Sequence, residues 1–393
     1  MAISEPPGLP AFDALTEAGL REGRSLKWTR YGTAIGAFVA EMDFGTAPVV
    51  TRSLSGTVER GQLGYLTPEA AADMARACAG WQARRYGWEV PPAWITPLAD
   101  VVAGLQAAIE RFTPPGTPIV LPTPAYMPFL AVPGALGREL IQVPMVDRAG
   151  RMGYDLDGIA AAFDRGARLV VHVNPHNPLG RVFAVDEQLA LADVVSAAGA
   201  RVFADEIHAP LVYPGATHRP YASLSPETAR HTVTATSTSK AWNVPGLKTA
   251  QLILSNAEDA EHWARVGFLY GHGASTPGVL AATAAYDEGA QWLDDVLAYL
   301  DGNRRFLAEL LAERLPQVGY TPPEGTYLAW LDCRRLGLEG SAGAFFLDRG
   351  GVALVDGPEC GPPGAGHVRL NFATPRPVLT TIVERMAAAV GAR

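Results

Sequence analysis

The 393-residue chain has few cysteines and no long apolar run. Its three cysteines, Cys78, Cys333 and Cys360, are odd in number and show no C-x-x-C spacing. This usage indicates a reducing compartment rather than a disulfide-linked secreted scaffold, so we expect a cytoplasmic protein. No apolar segment approaches membrane-spanning length, and the N-terminus shows no basic stretch followed by an apolar run. We therefore expect neither a membrane span nor a signal peptide.

The chain also lacks an excess of positive charge. Its 32 Lys and Arg residues stand against 40 Asp and Glu residues, which gives a formal net charge of −8 at pH 7. An acidic protein is repelled by nucleic acid and by anionic membranes, so neither is an expected partner. Hydrophobic residues make up 48% of the chain and charged residues 18%, which is typical of a globular protein. The length predicts a large core divided between two domains.

Strands and helices alternate through the middle of the chain. Apolar, β-branched segments predict strands at 118–124, 168–175, 201–207, 232–239 and 250–256, with helices at 155–165 and 186–199. This alternation predicts an α/β fold with a mostly parallel sheet that is covered by helices on both faces. Ligands of such sheets bind beyond the carboxyl ends of the strands, and the unusual polar clusters of this chain follow those ends.

The pattern changes after about residue 275, where a second, smaller α+β domain is predicted. Its predicted elements are helices at 277–314 and 377–391 and strands at 326–332, 351–357 and 367–373. Two further helices are predicted nearer the N-terminus, at 69–86 and from Val101 to Phe112. We divide the chain into an N-terminal segment at 1–45 that packs on the small domain, a large domain at 46–276, and the small C-terminal domain at 277–393.

One lysine follows the predicted strand at 232–239. Lys240 lies between the segment TVTATSTS and the turn at Pro245 and Gly246, where a solvated charge is unusual. Taken alone, this stretch favours a lysine that extends from the strand end into water. The alternative is a desolvated lysine whose lowered pKa lets its amine form a Schiff base. The other motifs of the chain favour this second interpretation.

Polar motifs follow two neighbouring strands as well. NPHNPLGR contains two Asn-Pro steps, which predicts either a purely structural rigid loop or one that presents Asn177 and Arg181 to a ligand. DEIHAPLVY begins at Asp205 and places two carboxylates and a histidine after an apolar strand, which is costly unless they are paired. A buried carboxylate there suits a protonated pyridine nitrogen, while an ion pair or a cap is the structural alternative.

Four motifs in this order resemble the fold-type-I pyridoxal 5'-phosphate (PLP) enzymes of the class I/II aminotransferase superfamily: NPHNPLG, DEIHAPLVY, TSTSKAWNVPGLK and HVRLNFATPR. The segments RSLKWTRYG, VAEMDFG, GYLTPE, DVVAGL and PTPAYMPF narrow the resemblance to the MalY/PatB-like cystathionine β-lyases. The resemblance covers residues 24–390. It implies PLP as the cofactor, a mostly parallel seven-stranded sheet in the PLP-binding large domain, and a homodimer with shared active sites. It implies no metal ligand.

The resemblance implies roles for the residues of these motifs. Lys240 would hold PLP covalently and act as base and acid on the substrate Cα, and Asp205 would pair with the pyridinium nitrogen. Asn177 would hydrogen-bond the ring hydroxyl near His208, and Tyr126 would stack on the ring. The phosphate would lie at a helix N-terminus, where N–H groups and the helix dipole favour an anion. The implied phosphate site comprises Asp100, Val101, Val102, Ser237, Ser239 and Lys248.

The resemblance also implies how an amino-acid substrate binds. Arg369 in HVRLNFA would bind the α-carboxylate, because a planar guanidinium suits a planar anion. The place of this arginine between two apolar runs favours this role over that of a surface arginine at a strand end. Tyr65 would act in the active site of the neighbouring subunit, as a catalytic and substrate-binding residue. Asn177 and Tyr327 would also contact the substrate.

No second arginine in the sequence is evident as a partner for a distal carboxylate. We therefore expect the substrate side chain to be held by shape, in a pocket with Tyr126, Trp242 and Tyr327 as walls. Departures from the family pattern leave the substrate open. Glu41 stands where Asp is commoner, and the loop around Cys360 replaces one that more often carries Phe.

The leading functional hypothesis is a PLP-dependent C–S lyase. It would act by β-elimination on cystathionine or another cysteine S-conjugate and give a thiol, pyruvate and ammonia. One alternative is an aminotransferase, or another PLP enzyme of specialised metabolism, on the same scaffold. The other alternative is a PLP-bearing regulatory protein that binds a partner.

Overall fold

A central sheet and a smaller sheet organise the protein, as a computed structural model that describes residues 12–148 and 150–392 shows. The strands in chain order are β1 Ile35–Gly36, β2 Ile95–Leu98, β3 Ile119–Thr123, β4 Leu140–Pro144, β5 Val146–Asp147, β6 Met152–Gly153, β7 Leu169–Val173, β8 Arg201–Asp205, β9 Thr232–Thr236, β10 Ala250–Leu254, β11 Gly319–Tyr320, β12 Leu328–Asp332, β13 Val352–Ala353, β14 Val355–Asp356 and β15 His367–Asn371.

Seven strands form the central sheet in the order β2-β10-β9-β8-β7-β3-β4. The five strands from β9 to β4 run parallel, and β10 is antiparallel to both of its neighbours. This arrangement confirms the predicted α/β fold with a mostly parallel seven-stranded sheet. The sequence pattern did not predict β2 and β4, which contain Pro97 and Pro144. Proline weakens a strand pattern, because it donates no ladder hydrogen bond.

Helices cover both faces of the central sheet, and each face packs its own apolar cluster. The helices in chain order are Glu17–Glu22, Leu26–Thr29, Pro48–Glu59, Pro68–Tyr86, Val101–Phe112, Met127–Ala135, Leu156–Asp164, Val185–Ala197, Pro226–His231, Thr238–Ala241, Ala257–Val266, Phe268–Gly271, Thr276–Glu288, Ala290–Arg314, Ala342–Gly350 and Arg376–Gly391.

The helix Pro68–Tyr86 illustrates why these segments are helical. The Thr67 hydroxyl accepts the Ala70 N–H at 3.2 Å, and Pro68 occupies the first turn, where its missing N–H costs nothing. The helix ends at Gly87, whose φ of 69° is left-handed and therefore favours glycine. The prediction of a helix at 69–86 is confirmed.

The predicted strand at 232–239 is three residues too long. The structure ends β9 at Thr236, because the Ser237 hydroxyl accepts the Ser239 N–H at 3.0 Å and starts a helical turn. Lys240 lies on this turn, Thr238–Ala241. The lysine therefore projects from a helical turn after the sheet edge and not from the strand itself.

The smaller sheet has the order β11-β12-β15-β14. The N-terminal segment pairs with the C-terminal part of the chain through β1, which forms a separate two-stranded parallel sheet with β13. A buried ion pair of 2.8 Å between Lys27 Nζ and Asp43 Oδ2 ties this segment together, and the Trp28 indole donates to the same carboxylate. The predicted helical region at 277–314 is two helices that meet at Gly289.

The first of these helices, Thr276–Glu288, packs on the helices Pro48–Glu59 and Pro68–Tyr86. The division of the chain into domains at 45/46 and 276/277 stays a prediction. None of the helices in the described ranges combines the length and the apolar character needed to cross a bilayer.

Candidate active site

A cavity of about 630 Å³ lies beyond the carboxyl ends of the parallel strands, between the central sheet and the smaller one. This is the edge where the sequence pattern predicted a ligand site. Most of the predicted site residues line it. They are Asp100, Val101, Val102, Tyr126, Asn177, Asp205, His208, Ser239, Lys240, Lys248 and Arg369.

Lys240 reaches the cavity from its helical turn. Its Nζ donates a hydrogen bond of 3.0 Å to the carbonyl of Ala40. Burial, together with the nearby positive charge of Arg369, lowers its pKa from the usual 10.5 to about 8, although Glu41 and Asp205 oppose the change. Roughly one amine in ten is then neutral at pH 7, so a nucleophilic and basic form is available.

Asp205 ends β8 with its carboxylate at the cavity. It is 4% exposed, and burial raises its pKa from 3.8 to about 7. One oxygen accepts the Ile207 N–H at 3.0 Å, and no cation pairs with the carboxylate within the described residues. The neighbouring Glu206 differs, because it accepts the Tyr221 N–H at 2.8 Å and lies 3.4 Å from His218. The first carboxylate of the motif is therefore the one left for a cationic ligand.

The opposite end of the cavity suits an anion. The helix Val101–Phe112 begins here, and the carboxylate of its N-cap residue Asp100 accepts a hydrogen bond of 2.9 Å from the Ala103 N–H. The same carboxylate forms an ion pair of 2.8 Å with Lys248. Burial would raise the pKa of Asp100, but these two bonds lower it. The first N–H groups of the helix, near the Lys248 ammonium, favour negative charge.

Arg369 projects from β15 and is 2% exposed. Its Nη1 donates to Asn177 Oδ1 at 3.0 Å, and its Nη2 donates to the Phe38 carbonyl at 2.8 Å. Its Nε finds no acceptor in the part of the chain that the structure describes. The guanidinium is therefore held in place by two neutral acceptors while its charge stays uncompensated, which suits a carboxylate ligand.

Besides Arg369 Nε, two buried polar atoms on the cavity wall lack partners among the described residues. They are His208 Nδ1 and Thr249 Oγ1. Burial holds the pKa of His208 well below 6.5, so its imidazole is neutral. Buried polar groups in folded proteins are nearly always satisfied, so these atoms indicate a polar ligand. The Tyr126 ring lies on the same wall, edge-to-face with Phe129 at 5.3 Å.

Three predicted site residues lie elsewhere. Ser237 is behind the wall, where its hydroxyl donates to the Thr249 carbonyl at 2.7 Å. Tyr327 is fully buried and donates to the Ala40 carbonyl at 3.0 Å, the same oxygen that Lys240 contacts. Tyr65 is 90% exposed, away from the cavity of its own chain, and stacks on His272 with ring centroids 6.2 Å apart. Their roles stay predictions.

The structure does not bring two of the candidate residues, Trp242 and Arg181, to this cavity. Trp242 is not a wall of the pocket, because it is fully buried in the core against Trp81 and donates to the Gly289 carbonyl. Arg181 is not presented to this cavity, because Glu187 holds it in a two-pronged ion pair with bonds of 3.0 and 2.8 Å. Both residues have structural partners that the sequence did not show.

Some residues of the cavity were not assigned by sequence reasoning. They are chiefly Arg30, Tyr31, Phe38, Leu354 and Glu359. The first two lie in the segment RSLKWTRYG, which carries part of the family resemblance but for which the resemblance implies no residue role. No local pattern marks them as cavity residues, because tertiary packing brings the N-terminal segment to β15.

Comparison with known proteins identifies the family of the chain. The family model described as "Aminotransferase class I and II" matches residues 39–386 of the chain. The chain belongs to the class I and II aminotransferase family. A cystathionine β-lyase of Corynebacterium glutamicum is 40% identical over 369 residues, which cover 94% of this chain and 97% of that protein.

Two further relatives narrow the position of the chain within the aminotransferase family. The cystathionine β-lyase PatB of Bacillus subtilis is 32% identical over 93% of this chain and 97% of its own length. The PLP-bound C–S lyase of Staphylococcus hominis superimposes with a TM-score of 0.89 at 28% identity, covering 96% of this chain and 98% of that one. The predicted resemblance to the PatB-like branch is confirmed.

The cavity fits the cofactor that this family implies. The uncompensated carboxylate of Asp205 suits a protonated pyridine nitrogen. The helix N-terminus beside Lys248 suits a phosphate, and the partly neutral amine of Lys240 suits an aldehyde carbon. The unpartnered atoms of His208 and Thr249 add polar groups between these ends.

Proposed function

We propose that this protein is a PLP-dependent C–S lyase that eliminates a thiol from the β-carbon of S-substituted cysteines. The products are the thiol, pyruvate and ammonia. One observation carries the proposal: a single cavity holds a partly neutral amine, an uncompensated buried carboxylate and a buried guanidinium, at Lys240, Asp205 and Arg369. The cystathionine β-lyase and C–S lyase relatives, which match nearly the whole chain, favour elimination over transamination.

PLP is the cofactor, and when bound it supplies an electron sink for the charge that develops on the substrate Cα. Asp205 keeps the ring nitrogen protonated. Asn177 uses its Oδ1 to hold Arg369, so its Nδ2 is the group available to the ring hydroxyl. Tyr126 would pack on the ring, and His208 would contribute a neutral imidazole beside it.

The start of the helix Val101–Phe112 would hold the cofactor phosphate. The N–H groups of Val101 and Val102 and the ammonium of Lys248 supply positive charge. Ser239 lines this end of the cavity. Ser237 acts one step removed, since its hydroxyl accepts the Ser239 N–H and so fixes the turn that carries Ser239 and Lys240.

The substrate is held by its α-carboxylate. Arg369 binds it and thereby directs the Cα–H bond towards Lys240. The neutral amine of Lys240 removes the Cα proton, and a thiolate leaves Cβ with the electron pair of the C–S bond. Water then hydrolyses the released enamine to pyruvate and ammonia. Tyr327 and Lys240 both donate to the Ala40 carbonyl. Tyr327 therefore keeps the segment around Ala40 in place when the Lys240 amine gives up this hydrogen bond to act on the substrate.

We also infer that the protein is a homodimer with shared active sites and that it is located in the cytoplasm. The exposed Tyr65 shares a surface hollow with Leu63, Phe268 and His272, and Leu63 and Phe268 are 61% and 76% exposed. Apolar side chains grouped in this way favour an interface, in which Tyr65 reaches the partner's cavity. The three cysteines are buried and free, which fits a reducing compartment.

Product analysis separates the proposed lyase from the alternatives. The purified PLP-loaded protein is incubated with L-cystathionine or other cysteine S-conjugates, with and without a 2-oxo acid. We expect pyruvate and free thiol, with no requirement for the oxo acid. Transfer of the amino group to the oxo acid would establish an aminotransferase instead. Neither reaction, with PLP bound, would favour the regulatory protein.

A further inference from the structure

Two opposite charges lie on the cavity rim, and the proposed elimination leaves both without a role. Arg30 and Glu359 line the same cavity as Lys240 and Arg369, but both are exposed while Arg369 is 2% exposed. The proposed elimination at Cα and Cβ uses only the buried groups, such as Lys240 and Arg369. A substituent that extends from the substrate sulfur towards solvent meets the two rim charges.

Arg30 is oriented by aromatic rings and not by an acidic partner. Its guanidinium carbon lies 5.6 Å from the centroid of the Tyr31 ring, and that ring packs edge-to-face on Phe38 at 5.0 Å. The Phe38 carbonyl in turn accepts the Arg369 bond of 2.8 Å. Within 12–148 and 150–392 the Arg30 guanidinium makes no ion pair. Its donors are therefore free, on a scaffold that also holds the deep arginine.

Glu359 approaches the rim from the smaller sheet. It lies in the short turn Gly357–Cys360 directly after β14, where Val355 pairs with Arg369. Its Oε1 accepts the Asp356 N–H at 3.1 Å, and its other oxygen has no partner in the described ranges. Burial lowers the pKa of Arg369, and Glu359 is among the groups that oppose this change, so it lies within electrostatic reach of Arg369. The lining of this cavity thus includes one free anionic oxygen and one free guanidinium.

We propose that Arg30 and Glu359 recognise a second amino-acid head group at the far end of the substrate thioether. Arg30 binds the distal carboxylate and Glu359 the distal ammonium. This assignment rests on the proposed C–S lyase function and adds to it two residues that select thioethers with an amino-acid group at both ends. It replaces the sequence-based expectation of a side-chain pocket defined by shape alone, since Arg30 is the second arginine that the sequence did not reveal.

Four substrates and two variants separate the two charges. L-Cystathionine carries both distal groups, S-(2-carboxyethyl)-L-cysteine only the carboxylate, S-(2-aminoethyl)-L-cysteine only the ammonium, and S-ethyl-L-cysteine neither. Steady-state kcat/KM is measured for the holoenzyme and for Arg30→Gln and Glu359→Gln, and each value is divided by that for S-ethyl-L-cysteine. Arg76→Gln is the matched control, because Arg76 is exposed on the helix Pro68–Tyr86 and outside the cavity.

We expect Arg30→Gln to lower the ratio for the carboxyethyl substrate about tenfold, through KM, while the aminoethyl ratio stays within about twofold. Glu359→Gln should show the converse, both should lower the cystathionine ratio, and Arg30→Lys should recover part of the Arg30 loss. Arg76→Gln should move no ratio. Unaltered ratios in both variants, or ratios that fall alike for all three charged substrates, would overturn the assignment. Absence of thiol release by the unaltered protein from all four substrates would instead refute the lyase function.

Discussion

In the cofactor-free protein, Asp205 is a buried carboxyl group without a cationic partner among the described residues. The substitution Asp205→Asn should therefore stabilise the cofactor-free protein against unfolding. Burial raises its pKa from 3.8 to about 7, so between these values the unfolded state is ionised and the folded state is protonated. The unfolded state then binds fewer protons, and the contribution of Asp205 to stability falls as pH rises through this window. Taking about 1.4 kcal/mol for each pH unit, the cost at pH 8 is roughly 4 kcal/mol.

The assay compares the unfolding of wild type and Asp205→Asn from pH 4 to pH 8 by chemical denaturation, with cofactor removed. Burial lowers the pKa of His172 and His176 to about 3, which changes stability in the opposite sense over the same range, so only the difference between variants isolates Asp205. We expect the advantage of the asparagine to be small at pH 4 and to grow towards pH 7. The exposed Asp193→Asn serves as the control.

Adding PLP should reverse the effect, because the bound pyridinium compensates the carboxylate but not the amide. Asp205→Asn should also lose at least about tenfold in turnover, since a neutral amide does not hold the ring nitrogen protonated. A stability difference that is independent of pH, or one that persists unchanged with PLP bound, would show that Asp205 has another partner. The assignment of this residue would then fail even if the enzyme were a lyase.

Three further predictions test the remaining assignments. Lys240→Ala should lose turnover and the visible absorption of the bound cofactor while PLP still binds through its phosphate; near-normal activity would remove the lysine from the mechanism. Arg369→Lys should cost about 1.5–3 kcal/mol in kcat/KM on all S-substituted cysteines alike, because lysine cannot supply the two-pronged contact; a penalty confined to substrates with a distal carboxylate would contradict this. A mixture of inactive Tyr65→Phe and Lys240→Ala should regain activity through hybrid dimers; a mixture that stays inactive after demonstrated subunit exchange would place each site within one chain.

The sequence predicted the parts of this protein that depend on local pattern. The segments at β7, β8 and β9 are mostly apolar or β-branched, so these strands and the mostly parallel sheet follow from the alternation with helices. The polar residues after these strands meet at one edge for the same reason. Asn177 and Asp205 were therefore found from sequence, and the structure brings them together with Lys240.

Tertiary packing decided what sequence reasoning missed. Trp242 resembles a pocket residue because it follows Lys240, yet its indole faces the opposite way and reaches Gly289. Arg30 carries no signal in its own segment, since its place on the rim depends on the contact between Tyr31 and Phe38. The predicted strand at 232–239 is longer than β9 because the β-branched Thr238 and the small Ser239 follow Ser237, whose side chain nevertheless starts a helical turn.

Phe38 supports both proposed substrate-binding arginines, one through its main chain and the other through its side chain. Its carbonyl holds Arg369, to which we assign the carboxylate common to every amino-acid substrate. Its ring contacts Tyr31, which lies against Arg30, the residue that we propose for the variable end of the substrate. A substitution at position 38 alters the ring and keeps the carbonyl. Substitutions at this position can therefore change which thioethers are accepted while the main-chain contact that positions Arg369 is kept.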